Sequence, residues 1–342
     1  MFIKSADHKK LIAVTQDGDI VPIKNHVMRK RMTLKEQRIL SDDSVCIVCN
    51  YGFYDGATSY GEKIKAICHP FRDISRFPKN KELFLLSESD FCDRLWVDTE
   101  PQNIKREYDF VYFTLDSAQG IKTKGFHTLP LIMEVAKEMN LKGLVIDYFD
   151  LGNKGKGRDM DYSGAAPGST RWSLKKTRKR VGRSVEGSTI TIHRGALHGP
   201  ELCKADQLGK FVLFPNNRDA SPRIIAESLL RGIPVLVNQN IYGGWKYVSE
   251  VNGSFYDSPF DITELDNKRD YYKEEFKKAF THMMEKDFNR QSIIDDYHSK
   301  WGLFNSSKRL ANIINKINST DYKYVFYREF EYILKNWREH AS

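Results

Sequence analysis

Two acids eight positions apart, Asp219 and Glu227, stand in the most chemically informative window of the chain, FPNNRDASPRIIAESLLRGIPVLVNQNIYGGWKYVSEVNGSFYD, from Phe214 to Asp257. A strand ends at Pro215, a polar loop follows, and Ser221-Pro222 predicts a helix start, where a serine cap and a first-turn proline are both favoured. The free N–H groups and dipole of such a start suit a diphosphate, and Arg223 adds a positive charge in the first turn. Glu227, about one turn in, can accept hydrogen bonds from the two hydroxyls of a ribose. Asp219, just before the helix, then points at whatever the diphosphate carries. A second turn, Tyr242-Gly243-Gly244, brings backbone N–H groups close to the same place, since glycine lets the main chain approach a ligand.

These residues need a scaffold that gathers loops at one edge. From Tyr108 onward apolar strands alternate with helical segments: YDFVYFTL, LPLIMEVAKEMN, LKGLVIDYF, STITIHRG, HGPELCKAD, KFVLFPN, SPRIIAESLLRG, IPVLVN and, as a last helix, IYGGWKYVSE. Such alternation predicts a parallel sheet covered on both faces, with its ligand beyond the C-terminal strand ends. Upstream, a strand at Val45 to Cys49 leads through a glycine-containing turn into a predicted helix up to Cys68, and a second strand follows at Glu82 to Ser87. This is a smaller Rossmann-like half. The expected class is therefore α/β with two Rossmann-like domains: 1–105, including a 1–43 appendage with a hairpin at Asp17-Gly18; 106–260; and a helical segment, 261–342, packing across both.

In this ordered series the sequence resembles the GT-B glycosyltransferases, especially the large retaining group with paired acids in the C-terminal donor domain. Asp219 stands at the first acid, normally glutamate, and Glu227 at the second. Arg231-Gly232-Ile233-Pro234-Val235 matches the helix-to-strand turn, Gly243-Gly244 the glycine pair, and Asn252-Gly253 the later Asn-Gly. Lys124-Gly125 resembles the family's Lys-Gly pair, whose lysine neutralises donor phosphate; the preceding arginine is missing, with Lys122 in its place. The resemblance implies transfer of a sugar from a nucleoside-diphosphate donor to a hydroxyl acceptor, a glycan or similar, with retention and without a metal or other cofactor. It makes Asp219 and Lys124 catalytic, assigns Lys122, Ser221, Pro222, Arg223, Glu227, Gly243 and Gly244 to the donor, places Gly52 or Gly56 near the transferred sugar, and makes 1–105 the acceptor side.

With 342 residues, 40% hydrophobic and 12% aromatic, the chain can build two packed units. No run approaches the roughly 18 apolar residues of a membrane span, and MFIKSADHKK lacks a signal peptide's apolar run, so a soluble, cytoplasmic protein is expected. Five scattered cysteines read as free thiols; Cys46 and Cys49, three apart in a strand, would face opposite ways. Asp17/Asp19 and Asp159/Asp161 have the spacing of metal-binding acids but follow no buried strand, so they read as surface acids. His69 and His127 could approach a cleft or be structural, while Asp90 and Asp93 read as helix caps rather than as a base for the acceptor hydroxyl.

The net charge of +9 calls for an anionic partner, and its densest run, Arg171 to Arg183, has seven basic residues in thirteen and no acid. It lies within Leu151 to Glu186, expected as a long loop: either a solvated surface or an element that docks an anionic acceptor. The alternative to sugar transfer onto a glycan is a nucleic-acid-associated protein, either a DNA-base glycosyltransferase or a non-enzymatic basic binding protein. No aromatic interleaving supports the latter.

Overall fold

The computed structural model describes residues 64–93, 104–147 and 170–318, apart from 76, 78, 186, 196, 198 and 199, with the backbone of short strands at 2–4, 10–14, 20–24 and 46–48. The first three strands, β1 (Phe2–Lys4), β2 (Lys10–Val14) and β3 (Ile20–Lys24), form an antiparallel sheet in that order, so the predicted hairpin forms. Its Asp17-Gly18 turn lies outside the described residues, as do Gly52, Gly56, Cys49, Asp159 and Asp161.

A second, parallel sheet runs β4 (Cys46–Val48), β5 (Ile64–His69), β6 (Glu82–Leu85). Here the expectation of a helix up to Cys68 is overturned. Ile64–His69 is the middle strand, paired with β4 on one side and β6 on the other. A short apolar run with β-branched isoleucines supports either state locally, and sheet pairing decides.

The large sheet has six parallel strands in the order β12-β11-β10-β7-β8-β9: β7 (Tyr108–Thr114), β8 (Gly143–Asp147), β9 (Ile190–Arg194), β10 (Gly209–Phe214), β11 (Val235–Asn238) and β12 (Gly253–Tyr256). Alternate residues feed two cores. Phe110, Tyr112, Phe211, Leu213 and Leu236 pack on one face, and Val111, Phe113, Val212, Phe214, Val235 and Val237 on the other. Burial on both faces is why these strands read as continuous apolar runs.

Helices α1 (Ala118–Lys124), α2 (Leu129–Glu138), α3 (Thr170–Val185), α4 (Pro200–Ala205) and α5 (Arg223–Leu230) connect the strands, and α6 (Ile262–Asn267), α7 (Arg269–Glu285), α8 (Arg290–Lys300) and α9 (Gly302–Asn318) follow. Two segments not expected to be helical form helices. DSAQGIKTKG contains α1, capped by Ser117, whose hydroxyl accepts from the Gly120 N–H at 3.0 Å. The basic run, expected as a loop, is helix α3, packed against α1 and α2 with Thr177 and Val181 buried. Conversely, IYGGWKYVSE makes only a 3-10 turn at Trp245–Tyr247, because Gly244 at φ 82° breaks any longer helix.

The segment after β6 meets the large sheet's loops and the terminal helices. Asp90 is fully buried, taking the Lys246 ammonium at 2.6 Å and the Tyr247 hydroxyl, while its own carbonyl accepts from Ser306. Asp90 also closes a capping box with Ser87, and Asp93 accepts the Leu303 N–H at the start of α9. Both acids therefore cap, as expected.

Candidate active site

The chain runs β7-β8-β9 towards one edge, then returns to place β10 on the other side of β7. Loops leaving β7 and β10 therefore diverge at their C-terminal ends, opening the crevice where doubly wound sheets bind ligands. Lys124, the last residue of α1, follows β7, and Asp219 lies in the loop after β10. The Lys124 ammonium sits on the Asp219 carboxylate, with the lysine about one-third exposed and the acid mostly buried.

Both partners are held from behind. The Tyr112 hydroxyl, from inside β7, donates to the Lys124 carbonyl oxygen at 2.7 Å. Gly125 ends α1 at φ 67° and lies so close to the β10 loop that a Cβ would stand 2.6 Å from the Pro215 oxygen. Only glycine fits there. Asp219 accepts from the Asn216 amide at 3.0 Å, and its carbonyl takes the Gly243 N–H at 2.9 Å. Asn216 itself is buried, and its Oδ1 has no partner among the described residues. That leaves an unfilled acceptor beside the ion pair.

Two details of the donor side differ from expectation, the Ser221 cap and the free Gly243 N–H. Ser221 is not the cap: α5 begins at Arg223, Pro222 holds the N-cap position without a side-chain bond, and the Ser221 hydroxyl lies 2.7 Å from that of Ser89. Gly243 does not offer its N–H freely, because that group is engaged by Asp219, as the Tyr242 N–H is by Asn217. Gly244 packs under Pro222, whose Cγ would be 2.4 Å from an added Cβ. Lys122 lies on α1, two residues before Lys124. The glycine pair therefore zips the two loops together and sets where α5 starts.

Further along α5, the Glu227 carboxylate accepts from Arg223 Nε at 2.9 Å. No side chain caps the helix start; the Ile225 N–H donates to the Pro222 carbonyl at 3.1 Å, which leaves the N–H groups of Arg223 and Ile224 for an anion. Beneath α5, Arg231 and Asp206 form a buried ion pair at 2.5 Å. Burial pushes the Asp206 carboxyl up to about 6 against the pull of Arg231.

The histidines have structural positions. His127 is fully buried against the Pro259 carbonyl, 2.9 Å from Nε2. His69 is buried at the end of β5, and burial, with the nearby Lys246, holds its pKa below the usual value. Sequence reasoning missed Asn216, and it missed Asp147 at the end of β8, which accepts the Asp116 N–H at 2.8 Å. Burial raises the pKa of Asp147. Neither residue stands in a spacing pattern that would single it out. Among the described residues no cluster of three or more metal-ligating side chains occurs, and no helix is long and apolar enough to cross a membrane.

No protein-family model and no curated protein matches the sequence. Solved structures do match. The pneumococcal O-GlcNAc transferase GtfA, determined with UDP and GlcNAc, aligns at TM-score 0.53 and 10% identity over 78% of this chain and 48% of its own. The fold is that of the GT-B glycosyltransferases. Other GT-B structures align at lower scores: the lipopolysaccharide outer core galactosyltransferase WaaB at 0.48, with 11% identity over 75% of this chain and 63% of that one, and Anabaena HepE with UDP at 0.43, with 12% identity over 75% and 65%. The chain thus spans between about half and two thirds of these GT-B proteins.

Proposed function

We propose that the protein transfers a sugar from a nucleoside-diphosphate donor to a hydroxyl acceptor, with retention and without a divalent metal. The observation that carries this reading is the Lys124–Asp219 contact across the switch point between β7 and β10. In the reaction the bond between the anomeric carbon and the diphosphate oxygen breaks, a bond to the acceptor oxygen forms, and the hydroxyl proton is released. Charge develops on the leaving diphosphate, so catalysis is mainly electrostatic. An ammonium has three N–H donors: one can hold Asp219 while the others reach a phosphate oxygen. Arg223 and the uncapped start of α5, with Ser221, Pro222 and the Gly243-Gly244 turn as its walls, complete the anion site, and we assign Lys122 to the donor as well. Asp219 and the free Asn216 Oδ1 hold sugar hydroxyls, and Glu227 holds the ribose.

We assign 106–260 to the donor and 1–105, with Gly52 or Gly56 near the transferred sugar, to the acceptor. A cytoplasmic location fits the free, buried thiol of Cys92. Thermal melting with UDP, GDP, ADP and their sugars tests the reading: one series raises Tm in proportion to the logarithm of ligand concentration. A flat response to all of them would remove the proposal.

A further inference from the structure

The described cations of the basic helix α3 fall into two sets. Lys176 and Arg180 both bind Asp266, and Arg178 binds Asp116, its Nε 2.8 Å from the carboxylate and a second nitrogen 3.2 Å from the carbonyl. Lys175, Lys179 and Arg183 are exposed and have no hydrogen-bond or ion-pair partner among the described residues. At 3.6 residues per turn these three stand in one line, opposite the buried Thr177 and Val181, about 6 Å apart along the axis. Like charges at this spacing destabilise a helix, and no acid in α3 relieves them.

The strip is one residue wide, and the carboxylates of Asp266 and Asp116 lie along its flanks. Both acids are already paired with Lys176, Arg180 and Arg178, whereas Lys175, Lys179 and Arg183 repeat along one line, so charges spaced along a single chain can meet them in turn at steps of about 6 Å. The strip also borders the candidate site. Asp116, held by Arg178, directly precedes Ser117, the cap of the helix that ends at Lys124.

We propose that Lys175, Lys179 and Arg183 form a docking strip for a linear polyanionic glycan, so that the acceptor is an anionic polymer with regularly repeated charges. This rests on the glycosyl-transfer reading above.

The test uses the full chain and two charge-matched variants. One is Lys175→Ser/Lys179→Ser/Arg183→Ser; the other removes three exposed lysines elsewhere, Lys79→Ser/Lys142→Ser/Lys204→Ser. Probes are dextran sulfate, neutral dextran, vesicles of phosphatidylcholine with phosphatidylglycerol, and single-stranded oligodeoxythymidine. The strip variant should lose about tenfold in dextran sulfate affinity and flatten the slope of log Kd against log salt by about two, as expected for three lost ionic contacts. The control variant should stay within about twofold of wild type at moderate salt, where distant charges are screened. Equal losses in both variants would reduce the effect to net charge and overturn the proposal. Strip-dependent binding that is tighter to the vesicles or to the oligonucleotide than to dextran sulfate would also overturn it, in favour of lipid or nucleic acid. The nucleotide melting series on the same proteins reports separately on glycosyl transfer.

Discussion

The Lys124 ammonium rests on the Asp219 carboxylate, joining residues 95 positions apart in sequence. One ends α1, the helix after β7, and the other lies in the loop after β10, so the contact spans the crevice of the sheet. Tyr112 fixes the lysine's backbone and Asn216 fixes the carboxylate, so little ordering entropy is left for a ligand to meet.

Lys124→Met should lower kcat by about a hundredfold, the usual scale for removing one stabiliser of developing charge. Lys124→Arg should recover part of the loss. A kcat within threefold of wild type for Lys124→Met, in steady-state assays at saturating donor, would make the ion pair structural.

Glu227→Gln should leave stability within about 1 kcal/mol, because its partner Arg223 is half exposed and such pairs contribute little. Nucleoside-diphosphate affinity should fall about ten- to a hundredfold as charged hydrogen bonds of about 1.5–3 kcal/mol are lost. Calorimetry with inorganic pyrophosphate supplies the contrast: its affinity should not fall, since it has no ribose. A parallel loss for both ligands would move Glu227 to the phosphate.

Turnover should be unchanged after EDTA treatment, since cationic side chains and a helix start, rather than a divalent ion, are assigned to the diphosphate. Activity lost in chelator and restored by manganese would bring Asp159 and Asp161 back as candidate ligands.

His127 makes stability depend on pH. Burial lowers its pKa below the ordinary 6.5, so the folded protein refuses a proton that the unfolded chain accepts. Its contribution is complete above about pH 6.5 and is lost as pH falls towards the lowered folded value. His127→Gln, which keeps a donor for the Pro259 carbonyl, should flatten this part of the urea-denaturation profile below about pH 6.5. Identical slopes for the two proteins would show that His127 titrates normally.

Periodicity carries to the sequence whatever is decided within a few residues. The buried runs of β7, β8, β10 and β11 and the amphipathic pattern of α2 and α5 make the parallel sheet, and the window around Asp219 and Glu227, legible in the order of residues alone. Local patterns do not carry the choice between competing partners. Ile64–His69 is a strand because two neighbours pair with it, and Ser221 caps nothing because Ser89 is within reach. In the same way, Lys176, Arg178 and Arg180 are taken up by Asp266 and Asp116, while Lys175, Lys179 and Arg183 are left facing water. Residue types, and most of the elements that carry them, are thus written along the chain. Which of them meet is settled in three dimensions, because an ion pair or a sheet contact forms between groups that packing brings together from distant parts of the chain, and no local spacing encodes that distance.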